Sequence, residues 1–200
     1  MAIRAFDLAD RYRNPAVILT DAVIGQMMES VVFPAPVTRI PDKPWAANGD
    51  AAHRQECHTS IYLDTDELEA RNLYLLNKYR RIEDNEQDFE TYRTEDAEVV
   101  FVAYGVVSRI CRSVVDDLRN SGVKAGLFRP VLLWPFPKTG LVELGRRVSR
   151  FIVAEMSMGM MADDVRLVLG DGRPVAQVNS YGGNLPTFDR LRAAARGEGL

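Results

Sequence analysis

Two cysteines in 200 residues are too few, and too far apart, to organise this chain. Cys57 and Cys111 form no CxxC pattern, which excludes a disulfide framework of the secreted kind and a self-contained iron–sulfur cluster. Charge of one sign is also missing. The 25 Lys and Arg stand against 28 Asp and Glu, a formal net charge of -3 with pI near 5.5, and the cations are scattered among acids rather than striped. Nucleic acid finds no electrostatic footprint on such a chain. No apolar run approaches the roughly 20 residues of a membrane span. The opening MAIRAFDLADRYRNP carries Arg4, Asp7 and Asp10 where a secretory signal needs unbroken apolar sequence. The expectation is a cytoplasmic protein with neither a membrane nor a nucleic acid as partner.

What is present is ordinary globular material, 46% hydrophobic and 26% charged, able to build one sizeable core. Residues 1–33 read as an αβα fragment. Phe6, Leu8, Ala9 and Tyr12 make an amphipathic helix stopped at Asn14-Pro15, AVILTD is a short apolar run typical of a buried strand, and Ile24, Met27, Met28 and Val31 recur at helical spacing. From 34 to 63 periodicity disappears among Pro34, Pro36, Pro41 and Pro44, the signature of an extended linker. At 64 a new region opens, where Asp64 or Thr65 can cap a helix with Leu68, Leu75, Leu76, Tyr79 and Ile82 along one side.

Residues 64–200 form the second domain, and its pattern is plainest from Ala97 on. AEVVFVAYG is nearly continuous apolar sequence, as expected of a strand covered on both faces, and Val106, Ile110, Val114 and Leu118 then step by four along a helix. The strand VKAGLF follows, then a helix around 141–147, the strand SRFIVAEM, a helix around 161–169 ended by Gly170, and the strand RPVAQVN. Strands alternating with helices through short connections predict an α/β fold, a three-layer α/β/α arrangement around a mostly parallel sheet.

In such sheets ligands collect at the carboxyl ends of strands. Arg129 and Glu155 lie there, and the sequence allows them to pair across neighbouring strand ends as a structural ion pair; nothing beside them supplies a second carboxylate or an activated nucleophile. The crossover RPVLLWPFPK places Trp134 and Phe136 where they serve either as a lid on the domain's own core or as an anchor for a partner subunit. EMSMGMMADD crowds Met156, Met158, Met160 and Met161, which cannot all face inward, so Met158 and Met160 are candidates for an interface. His53, Cys57 and His58 lack a fourth donor at matching spacing and read as solvated loop residues rather than a zinc site. Gly170-Asp171-Gly172 lacks the later amide ligand of a magnesium-diphosphate motif and reads as a helix-to-strand turn.

Five blocks, AFDLADRYRNPAVILTDAVIGQMMESV, KYRRIEDNE, EDAEVVFVAYGVVSRI, GLFRPVLLWPFP and EMSMGMMADDVRLVLG, together resemble the carboxyl-terminal half of the alpha-type subunit of 2-oxoacid:ferredoxin oxidoreductases, and within them the 2-oxoisovalerate (3-methyl-2-oxobutanoate) type. The resemblance implies a thiamine-diphosphate enzyme that oxidatively decarboxylates a 2-oxoacid to its acyl-coenzyme A and passes electrons to ferredoxin. It implies that 1–33 is the tail of a pyrimidine-side thiamine-binding α/β domain and that 64–200 is a transketolase carboxyl-terminal-like domain with a bracketing helix. It further implies partners: a thiamine-binding beta-type subunit with magnesium, a ferredoxin-like iron–sulfur subunit, and a gamma-type chain as a further candidate. The family's Tyr-Pro-Ile-Thr-Pro stretch and its thiamine-activating glutamate have no counterpart here, and its Gly-Gln-Met after EMN stands as Gly159-Met160-Met161 after EMS. No catalytic, cofactor-binding or metal-binding residue is therefore assigned to this chain, whose role on this reading is architectural. The other reading is a non-catalytic α/β interaction or ligand-binding module.

Overall fold

The computed structural model describes residues 1–36, 38, 42–54 and 59–198. The chain divides into two compact units, Met1–Gln26 with Tyr79–Leu200, and Met27–Lys78.

The first unit is built on a five-stranded sheet in the order β1-β3-β2-β4-β5, with strands β1 (Phe89–Tyr92), β2 (Val99–Val102), β3 (Ala125–Pro130), β4 (Arg150–Glu155) and β5 (Val175–Asn179). All neighbours are parallel except β1, which runs antiparallel to β3 with Glu90 opposite Arg129. The alternation of side chains along β2 divides the core. Val99 and Phe101 face α4 (Gly105–Asn120) and α7 (Phe188–Arg196), meeting Val114, Leu118 and Leu191. Val100 and Val102 face α5 (Lys138–Gly145) and α6 (Met160–Leu169), meeting Leu141, Phe151 and Val165. Helices on both sides of a mostly parallel sheet are the three-layer α/β/α arrangement expected.

Two elements were not expected. The antiparallel edge strand β1 offers only Phe89 and Tyr92 as apolar residues. α7 is started by Thr187, whose side chain accepts from the Arg190 amide.

The amino-terminal part of this unit corrects the sequence reading. α1 (Ala2–Tyr12) is a helix as predicted, with no buried residue. It is fixed through polar side chains: the nearly buried Glu86 carboxylate accepts from Arg11 at 2.9 Å and from the Tyr12 hydroxyl at 2.6 Å, and Arg4 pairs with Asp88. AVILTD is not a strand, and the helix expected through Val31 is reduced to α2 (Ala22–Gln26). A strand exists only where a neighbour takes up its backbone hydrogen bonds. Among the described residues 16–20 has no such neighbour.

In the second unit Asp64 caps the long helix α3 (Thr65–Asn85), accepting from the amides of Asp66 and Glu67 at 3.0 Å each. Leu68 and Leu76 are exposed, so the apolar side predicted for this helix is only sparsely covered. His53 sits in a turn against Asp50, whose carboxyl its hydrogen bonds hold down at about 2. Cys57 and His58 lie outside the described residues.

Candidate functional site

Strand order locates the place where an open α/β sheet offers a crevice. From β2 the chain crosses to β3 on one side, and later returns to β4 on the other. The crevice therefore lies beyond the carboxyl ends of β2 and β4, between the starts of α4 and α6. Both helices begin there, and the first amides of a helix have no partner within it, which makes a helix start the usual seat for a phosphate or carboxylate.

Neither helix has a side-chain cap from its own first residue: Tyr104 precedes α4 and Gly159 precedes α6, and neither supplies an acceptor. Each imports a carboxylate instead. At α6 it is Glu155, the last residue of β4 and only 1% exposed, which accepts from the amides of Met161 at 3.0 Å and Ala162 at 3.1 Å and from the Ser157 hydroxyl. Two backbone amides and a hydroxyl are what a buried carboxylate requires to offset its lost hydration. At α4 it is Asp21, 85 residues away, whose Oδ2 accepts from the Val106 amide at 2.9 Å and whose Oδ1 accepts from the Ile24 amide at 2.8 Å. Gly105 leaves room for this approach: a Cβ there would stand 2.7 Å from the Asp21 oxygen, and its φ of +59° favours glycine.

The negative charge is felt nearby. Burial and the charge of Glu155 raise the Tyr104 hydroxyl above its ordinary range, and burial with the charges of Asp163 and Glu155 raises the Asp164 carboxyl, opposed by Lys138. Further along the rim, the Asn179 amide group donates to the Ser157 carbonyl at 2.9 Å, while Arg190 reaches the Asn179 carbonyl at 3.3 Å. The buried Oδ1 of Asn179 has no hydrogen-bond partner among the described residues.

These residues do not fit a diphosphate. The amides of Val106, Met161 and Ala162 are already taken, and the carboxylates taking them carry the same sign of charge as a diphosphate.

The structure separates the pair suggested by the sequence. Arg129 and Glu155 lie on β3 and β4, which are not neighbours because β2 runs between them. Arg129 instead forks onto Glu90 of β1 at 2.8 and 3.0 Å, lowering the Glu90 carboxyl below its ordinary range through these hydrogen bonds. The aromatic crossover also splits. Phe136 is closed into the core with Leu141 and Phe151, whereas Trp134 is 52% exposed and meets Tyr79 edge-on at 5.8 Å. Met161 is buried and Met156 packs beside the α4 core, which leaves Met158 and Met160 projecting, 89% and 75% exposed. A groove of about 730 Å³ lies at the opposite, amino end of the sheet, lined by Glu98, Ser121, Ser149, Arg150, Arg196 and Glu198. Its guanidinium groups are engaged, Arg150 with the Ala195 carbonyl and Arg196 with Ser121.

Asp21 is the residue that sequence reasoning missed. The signal for half its role was present, an acid directly before the helical AVI; the bond to Val106 had no local signal.

The fold and its self-capped strand ends define an α/β domain, and comparison with known proteins gives its kinship. Residues 97–191 match the family described as pyruvate:ferredoxin oxidoreductase core domain II. The chain is 50% identical over 186 residues to ketoisovalerate oxidoreductase subunit VorB of Methanothermobacter thermautotrophicus, covering 92% of this chain and 53% of that protein. It is 28% identical over 221 residues to 2-oxoglutarate synthase subunit KorA of Methanocaldococcus jannaschii, covering 98% and 59%. Among solved structures, the 2-oxoglutarate:ferredoxin oxidoreductase from Magnetococcus marinus with 2-oxoglutarate, coenzyme A and succinyl-CoA bound aligns at a TM-score of 0.58 and 20% identity. That alignment covers 68% of this chain and 24% of the other, and shows shared fold alone. The chain is a homologue of 2-oxoacid oxidoreductase subunits, and the resemblance read from its five sequence blocks is borne out. It spans about half the length of the curated relatives it matches. No helix among the described residues is long and apolar enough to cross a membrane.

Proposed function

We propose that this chain is an architectural part of a thiamine-diphosphate-dependent 2-oxoacid:ferredoxin oxidoreductase acting on a branched-chain 2-oxoacid such as 2-oxoisovalerate. The half-identity to a ketoisovalerate oxidoreductase subunit over 92% of the chain is the observation that carries this reading. The strand-end geometry supports the architectural role. Two carboxylates from the chain itself, Asp21 and Glu155, take the helix amides that a phosphate-bearing cofactor would use. On this reading the diphosphate and magnesium belong to a beta-type partner, the iron–sulfur clusters to a ferredoxin-like chain, and a gamma-type chain completes the assembly. Residues 1–33 then continue a thiamine-binding type of domain, 34–63 link, and 64–200 form the transketolase carboxyl-terminal-like domain. Trp134, Met158 and Met160 are among the exposed apolar side chains and are offered to those partners.

Reconstitution tests the proposal. The chain alone, given thiamine diphosphate, magnesium, coenzyme A, 2-oxoisovalerate and ferredoxin, is expected to show no turnover, and turnover is expected once the companion chains are added. Met158→Asp combined with Met160→Asp is expected to weaken co-purification with those chains while leaving the fold intact. Turnover by the isolated chain would place chemistry in residues to which none is assigned here.

A further inference from the structure

Asn48 is the one asparagine of the chain that precedes a glycine. Asn48, Gly49 and Asp50 are exposed in a turn, and Gly49 has a φ of +84° with open space where a Cβ would stand. The Asn48 side chain folds forward alongside the Gly49 peptide: its Oδ1 accepts from the Asp50 amide at 3.1 Å, and its Nδ2 donates to the Asp50 Oδ2 at 2.9 Å. Asp50 is itself held from the other side, its Oδ1 accepting from the His53 amide at 2.9 Å and lying 2.8 Å from His53 Nδ1. These bonds, those from His53 above all, keep the Asp50 carboxyl down at about 2, so it is a charged acceptor at neutral pH.

We infer that Asn48-Gly49 is a site of self-modification, where the Gly49 backbone nitrogen closes on the Asn48 side chain to form a succinimide, and that Asp50 is its brake. In this step the Gly49 nitrogen bonds to Asn48 Cγ, the Cγ–Nδ2 bond breaks, and the Gly49 amide proton leaves with Nδ2 as ammonia. Water then opens the ring at either carbonyl and leaves aspartate or isoaspartate, with no oxidant or reductant involved. Glycine matters here because a side chain on the following residue would crowd the nitrogen and restrict the backbone rotation that brings it to Cγ. The attack is intramolecular, and the turn already sets the carboxamide beside the peptide that attacks it. What opposes it is the pair of hydrogen bonds on the carboxamide. Cγ must turn its face toward the Gly49 nitrogen, and neither Oδ1 nor Nδ2 can rotate without leaving Asp50. The product sets a carboxylate where the Nδ2 donor stood, against the charged Asp50, so the turn loses that contact permanently. All the contacts involved lie within residues 48–53, and the chemistry is independent of the proposed activity.

The test is prolonged incubation of the full chain at neutral pH, followed by peptide mapping that separates asparagine, aspartate and isoaspartate at each position. In wild type, aspartate and isoaspartate are expected to accumulate at position 48, while the exposed Asn72 and Asn184, each followed by leucine, stay intact. Asp50→Ala is expected to convert about fivefold faster at position 48, the effect of releasing one hydrogen bond of ordinary strength. Gly49→Ala is expected to bring conversion down to the level of Asn184. Conversion at position 48 no faster than at Asn184 in wild type and in Asp50→Ala would overturn the site. An unchanged or slower rate in Asp50→Ala would overturn the brake. Equal acceleration at Asn72 and Asn184 in that variant would overturn it as well, because Asp50 would then be holding the chain as a whole rather than this one carboxamide.

Discussion

Two four-residue apolar runs, AVIL at 16–19 and VVFV at Val99–Val102, have opposite fates in this chain. Val100, Phe101 and Val102 are fully excluded from solvent, at the centre of a sheet with β3 on one side and β4 on the other. Val17, Ile18 and Leu19 are exposed and belong to no strand. Both runs are wholly apolar, and although VVFV is the richer in β-branched and aromatic residues, the decisive difference lies in neighbours. An apolar run becomes a strand when other strands accept its amides and carbonyls and helices cover its faces; lacking them, it remains an extended surface segment.

Truncation should expose that difference most strongly. Phe101→Ala is expected to destabilise by about 3 to 5 kcal/mol, since the ring is fully buried and its removal leaves a cavity. Leu19→Ala is expected to stay within about 0.5 kcal/mol of wild type. Urea denaturation followed by circular dichroism measures both, and similar losses at the two positions would break the comparison.

The same contrast explains how much could be read in advance. β2, α4, β3, β4 and α6 were legible because apolar continuity gives way to a four-residue step at clear turn residues, with Gly105 after β2 and Gly170 after α6. β1 was not, since two apolar residues at the ends of FETY carry no periodicity, and missing β1 also hid Glu90 as the partner of Arg129. Glu155 was recognisable as an acid at a strand end, yet its partners are amides six and seven residues later, in a helix whose start bends back over it. For 16–20 the local signal for a strand was real, and the outcome depended on partners that no window of the sequence contains.

Glycine substitution sharpens the comparison at lower energy, with opposite signs expected. In β3, a Cβ at Gly126 would lie 2.8 Å from the Arg93 carbonyl oxygen, a backbone atom that cannot swing aside. Gly126→Ala is expected to destabilise by about 1 to 3 kcal/mol. In α2, a Cβ at Gly25 meets nothing nearer than the Thr20 hydroxyl at 4.0 Å, and the residue is helical. Gly25→Ala is expected to leave the melting temperature unchanged or slightly higher, because alanine loses less backbone freedom in a helix, an advantage of about 0.5 to 1 kcal/mol. Thermal melts of the two variants decide the matter.

A similarly small effect is expected at the sheet's edge, where the packed region meets water and should begin to behave like the exposed one. Arg129 lowers the Glu90 carboxyl mainly through its hydrogen bonds and also through its charge. A carboxylate with a lowered folded-state pKa contributes stability that is present above its unfolded pKa and is lost as pH falls through the folded value. Both side chains are substantially exposed, so solvent screening keeps the contribution under about 1 kcal/mol. Glu90→Gln should therefore melt slightly below wild type at pH 7, and the gap should close as the pH falls through the lowered folded-state pKa of Glu90. A gap that persists in acid would mean that Glu90 stabilises the edge by packing or by neutral hydrogen bonding, and that even the outermost strand owes its place to the same neighbour contacts that 16–20 lacks.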